Sequence, residues 1–466
     1  MSVRKLFSLN FLWFALCALV AWSLTAVFLW VWLFRFLRGK ESGRALFERL
    51  GCVPRIKNRP VLWVHGASVG ESMALEGVLR ALLEKQPDLF VFLTTNTRTS
   101  QKLWRKKIAA TPLFHNRLQH QMLPFDHPLC LFFFIHRLKP TGLLINEADL
   151  WPNMLFAAQR FGLRVLTFGA DLTEKTKKRW CYAPSLLREM LRDVNLCVTW
   201  NSTKIFFEKL GLQKVCLFPS LKWAHPLSSS ILTAYSSLQK NSTKSFVWSG
   251  LEGISVLTAA SLHPGEEGLI IKAFTRLHKK YSHLRLILAP RYTKSVAAIE
   301  ASLRQCDLSY VKWTDSPSKP VMHRCLVLLV DTMGALKEVF LNSRFVFMGG
   351  SLLEHMQGHN IIEPAFYDCV ILHGPYMGKN QAIAQRFKQE NAALCVDTTT
   401  FLSTMEDLLE APKKAQAFAR ASKKCVQTYG KNALEEACNK VEQCFQLASF
   451  PCAVRKNKKA GIKVYF

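Results

Sequence analysis

The stretch that decides the fold is Phe347-Met-Gly-Gly-Ser-Leu-Leu-Glu-His-Met-Gln-Gly-His-Asn-Ile-Ile-Glu-Pro-Ala365. The run from Arg344 to Met348 is apolar and reads as a buried strand. It stops at Gly349, Gly350 and Ser351, where the backbone must turn and something must approach it closely. A second polar turn, Gln357-Gly358-His359-Asn360, leads into Ile361, Ile362, Glu363 and Pro364. Glycines after a strand and ahead of a helix expose backbone N–H groups suited to an anion. Glu363 suits sugar hydroxyls. Together they read as a nucleotide or sugar-phosphate site at the carboxyl end of a parallel sheet. The plainer alternative is a tight turn with a capped helix.

On either side of this stretch, strands and helices alternate. In the second half the strand expectations are Phe246 to Ser249, Leu284 to Leu288, Leu326 to Val330, Phe345 to Met348, Val370 to Leu372 and Leu394 to Val396. In the first half they are Val61 to His65, Leu89 to Thr94, Leu143 to Ile145, Val165 to Phe168, Leu196 to Thr199 and Val215 to Phe218. A βαβ series of this kind predicts an α/β fold with doubly wound parallel sheets. Two Rossmann-like halves with a cleft between them follow, with the polar stretch Ser228 to Ser245 as linker. The expected domains are 1–45 (anchor and basic flank), 46–227, 228–412, and 413–466 (terminal helices and a basic tail).

Of the 466 residues 49% are apolar, enough for two cores, and the formal net charge is +29. That charge calls for an anionic partner: nucleic acid, an acidic membrane or a phosphorylated substrate. The basic residues form short dispersed runs with no recognised nucleic-acid module and no aromatic interleaving, so no nucleic-acid partner is expected. Leu9 to Phe34 carries no charge and is long enough to span a bilayer as a helix. Trp13, Trp22, Trp30 and Trp32 offer interfacial anchors. The heavier positive flank, Arg35, Arg38, Lys40 and Arg44, follows the segment and places the body in the cytoplasm. A cleaved signal peptide is the rival reading, disfavoured by length and by the lack of an A-x-A site. Fourteen scattered cysteines without a C-x-x-C pair or His/Cys spacing read as free thiols in a reducing compartment, with no metal site.

Chemistry-bearing residues gather just past strand ends. Glu71, Glu147 and Asp149 do so in the first half, where a carboxylate can take a proton from an attacking hydroxyl. For Glu71 the alternative is a helix-start residue facing the dipole. Lys222 follows the Val215–Phe218 strand and can neutralise a phosphate or carboxylate, or be a plain surface lysine. In the second half Ser261-Leu-His-Pro-Gly-Glu-Glu267 is expected to follow the Phe246 strand and begin a helix, with Ser261 and His263 toward a phosphate. Pro290-Arg291 ends the Leu284 strand, and Asp331-Thr-Met-Gly-Ala335 ends the Leu326 strand. Four such strand ends point to one edge.

These pieces, taken in order, resemble the Kdo transferases of lipopolysaccharide synthesis (Kdo is 3-deoxy-D-manno-octulosonic acid), with wording closest to the chlamydial branch. The resemblance rests on His65-Gly-Ala-Ser-Val-Gly-Glu71, Leu123-Pro-Phe-Asp126, Glu147-Ala-Asp-Leu-Trp-Pro-Asn153, Ser261–Glu267, Pro290-Arg291, Asp331–Glu338 and Gly349–Ala365. It implies a GT-B glycosyltransferase with an N-terminal transmembrane anchor at the cytoplasmic face of the inner membrane. It implies a CMP-Kdo donor, a phosphorylated lipid A precursor as acceptor, and neither cofactor nor metal. Residue by residue, Glu71 matches the catalytic base. Glu147 and Lys222 match residues that stabilise the transition state. The donor contacts implied are Ser261, His263, Pro290, Arg291, Met333, Gly334, Ala335, Gly349, Gly350, Ser351, Gly358, His359, Asn360, Ile361, Ile362 and Glu363. The acceptor contacts implied are Ser68, Gly70, Asp149 and Trp151. The sequence departs from the family at Asp149, Asp171, Pro219-Ser220 and Tyr292, which bears on acceptor contacts. Two other readings stand beside this one: a GT-B enzyme with a different nucleotide-sugar donor, and a non-catalytic basic protein tethered to the membrane.

Overall fold

The structure is a computed structural model describing residues 9–23, 25–38, 43–147, 150–224, 248, 253–315 and 325–447. It falls into two compact units, Met1–Leu221 with Asn432–Phe466, and Lys222–Lys431.

The first unit is built on a seven-stranded, all-parallel sheet of β1 (Val61–His65), β2 (Phe90–Thr95), β3 (Leu118–Met122), β4 (Gly142–Asn146), β5 (Arg164–Phe168), β6 (Val194–Val198) and β7 (Val215–Leu217). The strand order is β3-β2-β1-β4-β5-β6-β7. Helices cover both faces, so inner strands are buried on both sides and read as unbroken apolar runs; every residue of Val-Leu-Trp-Val-His in β1 is buried. β3, absent from the strand expectations, carries no such apolar run. Its Gln119, His120 and Gln121 are polar, yet His120 and Gln121 are buried. Thr95 Oγ1 meets His120 Nε2 at 2.9 Å, and Gln121 Nε2 donates to the Cys52 carbonyl at 2.8 Å.

The second unit repeats the plan with β8 (Ser255–Leu262), β9 (Leu284–Pro290), β10 (Tyr310–Lys312), β11 (Val327–Leu329), β12 (Phe345–Met348), β13 (Val370–His373) and β14 (Ala393–Cys395). Their order is β10-β11-β9-β8-β12-β13-β14. The strand leading to Ser261 is therefore β8, not one at Phe246 to Ser249, of which only Trp248 is described, in a turn. Its Ser-Val-Leu-Thr-Ala-Ala-Ser-Leu composition has little β propensity, but it is the central strand and is buried almost throughout. The following helix starts at Glu267, so Ser261 belongs to the strand.

One long helix, Pro412–Phe445, follows the second sheet. From Ala437 on, its side chains enter the core of the first unit beside Leu62 and Val64. Gly142 in β4 accommodates Phe445, whose ring lies where a Cβ would stand.

The apolar N-terminal segment is described as two helices, Leu9–Ser23 and Thr25–Leu37, and Leu24 lies outside the described residues. Among the described residues no helix is long and apolar enough to cross a membrane. Trp13 and Cys17 of the first helix pack on the body of the first unit, and Trp22 meets His127 edge-on at 4.5 Å. The linker Ser228 to Ser245 and the basic tail from Arg455 lie outside the described residues.

Candidate functional site

In an open parallel sheet, ligands bind where neighbouring strands send their connections to opposite sides. The first sheet reverses between β1 and β4, and the second between β8 and β12. Many of the residues singled out in the sequence lie on the loops leaving these four strands; Lys222, Arg291 and Met333–Ala335 follow β7, β9 and β11.

After β1, Gly66-Ala-Ser-Val-Gly-Glu71 enters the helix Val69–Ala74 with Ser68 at the N-cap. Ser68 and Glu71 form a reciprocal capping box: Glu71 N–H donates to Ser68 Oγ and Ser68 N–H donates to Glu71 Oε2, each at 3.3 Å. The helix-start alternative for Glu71 is thus realised, and it leaves the carboxylate at the switch point with a fixed orientation. A Cβ at Gly70 would meet no heavy atom within 4 Å, so the neighbouring surface is open.

After β4, Asn146 Nδ2 donates to the Glu71 carbonyl at 2.7 Å and ties the two loops together. Glu147 follows with a left-handed backbone, φ 65°, held by its N–H on the Phe168 carbonyl at 2.6 Å. A non-glycine residue held in that region marks local strain, a feature that concentrates at functional sites. Glu71 and Glu147 thus leave adjacent strand ends. Trp151, 39% exposed, precedes the helix Pro152–Arg160. Asp149 lies outside the described residues. Lys222 sits in a short 3-10 turn, Leu221–Trp223, counted with the second unit. The adjoining Trp223 stacks on Phe387 at 5.3 Å.

In the second unit β8 is interrupted by a register shift between Ala260 and Leu262, with Ser261 at φ 57°. The irregularity re-aims His263. Glu266, 1% exposed, then reaches across the switch point. Its Oε2 accepts the N–H groups of His263 at 3.0 Å and Gly350 at 2.6 Å. Its Oε1 accepts those of Ser351 and Leu352, each at 3.0 Å. The backbone donors of Gly350 and Ser351, expected to face a ligand anion, are therefore held by an internal carboxylate. Glu266 is not among the residues singled out in the sequence.

What this loop presents instead is a histidine pair. His263 Nε2 and His359 Nε2 lie 2.8 Å apart, with rings 13° from parallel. One nitrogen carries the hydrogen and the other accepts it. Tyr292 stands edge-on to His263 at 5.6 Å. Burial lowers the pKa of both, with the nearby Arg291 adding to the effect, and His359 falls to about 4. Gly350 is in left-handed conformation (φ 68°), and a Cβ there would sit 3.0–3.1 Å from both rings. Gly358 N–H donates to the Gly350 carbonyl at 2.6 Å and closes the second turn.

Of the remaining predicted donor residues, Arg291 lies near both histidines. Arg291 leaves β9 and donates its N–H to the Leu262 carbonyl at 2.9 Å. Met333 is 69% exposed, while Gly334 (φ 96°) and Ala335 lead into the helix Leu336–Leu341. Asn360 Oδ1 accepts the Ile362 N–H at 3.1 Å. Ile361 and Ile362 have buried side chains, so only their backbones are available to a ligand. Glu363 is desolvated, which raises its pKa against the opposing effect of Lys337. Among the described residues, no group of three or more His, Cys, Asp and Glu could hold a metal ion.

Comparison with known proteins shows what this chain is similar to. Residues 44–225 match the family model described as 3-deoxy-D-manno-octulosonic-acid transferase (kdotransferase). The chain is 28% identical over 404 residues to the Arabidopsis thaliana "Probable 3-deoxy-D-manno-octulosonic acid transferase, mitochondrial", covering 84% of this chain and 86% of that one. It is 23% identical over 397 residues to the 3-deoxy-D-manno-octulosonic acid transferase of Chlamydia trachomatis, covering 83% and 85%. The chain is similar to the Kdo transferases over most of its length. It is an enzyme of the glycosyltransferase class. A solved glycosyltransferase from Rickettsia africae superposes with a TM-score of 0.55 over 84% of this chain and 99% of that one. At 9% identity this likeness is one of fold, two parallel-sheet α/β units of GT-B type.

Set beside the Kdo transferases, some shared motifs turn out to be scaffold. Asp126, from Leu123-Pro-Phe-Asp126, accepts the N–H groups of Asn153 at 3.1 Å and Met154 at 2.7 Å, capping the helix after Trp151. The departure at Asp171 is also structural. Its carboxylate accepts the N–H groups of Thr199 at 3.0 Å and Trp200 at 2.8 Å, ahead of the helix Asn201–Lys209.

Proposed function

We propose that this protein transfers Kdo from CMP-Kdo to a hydroxyl of a phosphorylated lipid A precursor, with inversion and with Glu71 as general base. In the reaction, the acceptor oxygen attacks the anomeric carbon of Kdo. The new C–O bond forms as the bond to CMP breaks, and Glu71 takes the hydroxyl proton. Glu147 and Lys222 stabilise the transition state, and the second unit binds the nucleotide through Arg291, the His263–His359 pair, the Met333–Ala335 turn and the Asn360–Glu363 segment. CMP leaves as an anion, stabilised by these cationic and hydrogen-bonding groups.

The observation that carries this reading is the division of chemistry between the two switch points: an oriented carboxylate at the first, and histidine, arginine and glycine at the second. Charge supports the same partners, because +29 suits two phosphorylated substrates and an anionic membrane surface. The exposed apolar side chains of the N-terminal helices, among them Leu19, Trp30, Leu33 and Leu37, support attachment to the cytoplasmic face of the inner membrane.

The test is a direct assay. The full chain in detergent is given a tetraacylated lipid A precursor and CMP-Kdo, and products are read by mass. Increments of one Kdo residue are expected, and they disappear in Glu71→Gln. If only another nucleotide sugar serves as donor, the second GT-B reading replaces this one.

A further inference from the structure

Away from both switch points, β6 and β7 bring two thiols together. Cys197 and Cys216 are register partners on these parallel strands, and their sulfurs lie 3.5 Å apart. Neighbouring strands are spaced about 4.8 Å, within the Cα separation that a disulfide spans. Cys197 is buried, whereas Cys216 is partly exposed because β7 is the edge of its sheet. A third thiol, Cys444, sits beside Asn195 Nδ2 at 3.4 Å. It borders a polar surface cavity with Lys214 and Arg164.

We infer that Cys216 and Cys197 form a peroxide-reactive dithiol, with Cys216 as the attacking thiolate and Cys197 as the resolving thiol. Most half-buried cysteines are inert because desolvation disfavours the thiolate. Here the surroundings oppose that. Cys197 and Cys216 share a hydrogen bond, Lys440 of the terminal helix hydrogen-bonds Cys216, and Lys204 adds positive charge. These contacts bring the Cys216 thiol down to about 6, while the hydrogen bond with Cys216 and burial push Cys197 up. The groups facing the pair are Lys204, Lys440 and Cys444.

The chemistry balances with a hydroperoxide as oxidant. Cys216 sulfur attacks the outer oxygen; the S–O bond forms, the O–O bond breaks, and the alcohol or water leaves. Cys197 sulfur then attacks the sulfenic sulfur, the S–S bond forms, and hydroxide departs with the Cys197 proton as water. Two thiols lose two electrons and the peroxide gains them.

The experiment is timed alkylation of the full chain with iodoacetamide at pH 6.5, read peptide by peptide. Cys216 is expected to react about tenfold faster than the more exposed Cys52 and Cys181, and Lys440→Met is expected to abolish that advantage. Hydrogen peroxide should then yield a Cys197–Cys216 linked peptide. In Cys197→Ala the reaction should stop at a Cys216 sulfenic acid that dimedone traps. Faster labelling of Cys52 or Cys181 in the wild-type protein overturns the inference, whether or not the variants fold. So does a linked pair dominated by Cys444.

Discussion

Ser68 and Glu71 hold each other across the first turn of the helix Val69–Ala74, each donating a backbone N–H to the other's side chain at 3.3 Å. A capping box accepts Glu or Gln at its third helical position. Glu71→Gln therefore preserves the cap while removing the proposed base. Its melting temperature should stay near wild type while turnover falls about a hundred- to ten-thousand-fold. Ser68→Ala does the reverse: it loses about 1 kcal/mol and lowers turnover only by loosening Glu71. Ser68→Thr should restore both. A Glu71→Gln enzyme with wild-type kcat would remove Glu71 from the chemistry.

Glu266 is the joint of the second unit, because one buried carboxylate satisfies four backbone N–H groups from the loops after β8 and β12. Glu266→Gln turns an NH2 group toward two of those donors. Leaving buried donors unpaired costs about 1–3 kcal/mol each, so the variant should lose about 3 kcal/mol or more and weaken CMP binding. Urea titration and calorimetric nucleotide binding check this together. An unchanged midpoint would mean the loops hold without it.

The same joint marks where sequence reading succeeded and where it stopped. Apolar runs such as Val61–His65 and Phe345–Met348 were legible because parallel strands are buried on both faces. Leu118–Met122 and Ser255–Leu262 were not, since their burial comes from tertiary partners such as Thr95 for His120. The glycines of 349–350 rightly marked a close approach, but local pattern could not say that Glu266, more than eighty residues earlier, supplies the anion. His263 and His359 were each legible as candidates. Their 2.8 Å contact depends on the positive φ of Ser261 and Gly350, which no spacing rule encodes.

The histidine pair gives a pH dependence. Burial holds the His359 pKa at about 4, below its value of 6.5 in an unfolded chain. Between those values the unfolded state binds more protons, so stability rises with pH across that window. The contribution is present above about 6.5 and is lost as pH falls toward about 4. His263 is shifted the same way. Thermal midpoints measured from pH 7.5 to 4.5 should decline more steeply in the wild type than in His359→Gln, which cannot take up that proton. Parallel curves would show that the pair does not titrate in this window.

Gly350→Ala tests the same pair sterically. A Cβ would lie 3.0–3.1 Å from both imidazoles on a backbone at φ 68°. The backbone strain alone costs about 1 kcal/mol, and the displaced rings should reduce nucleotide affinity. Because the insult is confined to the second unit, reactivity at Glu71 toward a carboxylate reagent should be unchanged. Wild-type nucleotide affinity would show that the rings yield without effect on the site.

Asp171 decides how to read a departure from the family. At this position the chain places a carboxylate that accepts the N–H groups of Thr199 and Trp200 before the helix Asn201–Lys209. Negative charge is favourable ahead of a helix and positive charge is not. Asp171→Ala should lose about 2 kcal/mol through the unpaired donors, and Asp171→Arg should lose more by placing a cation there. Chemical denaturation of the three proteins gives the ranking, and Kdo transfer measured on the same samples gives the functional side. If Asp171→Arg is as stable as wild type and transfers faster, this position belongs to acceptor recognition and the cap is incidental. If stability falls in the predicted order and the folded fraction accounts for the activity, the substitution belongs to the scaffold, and the site at Glu71 works without an arginine there.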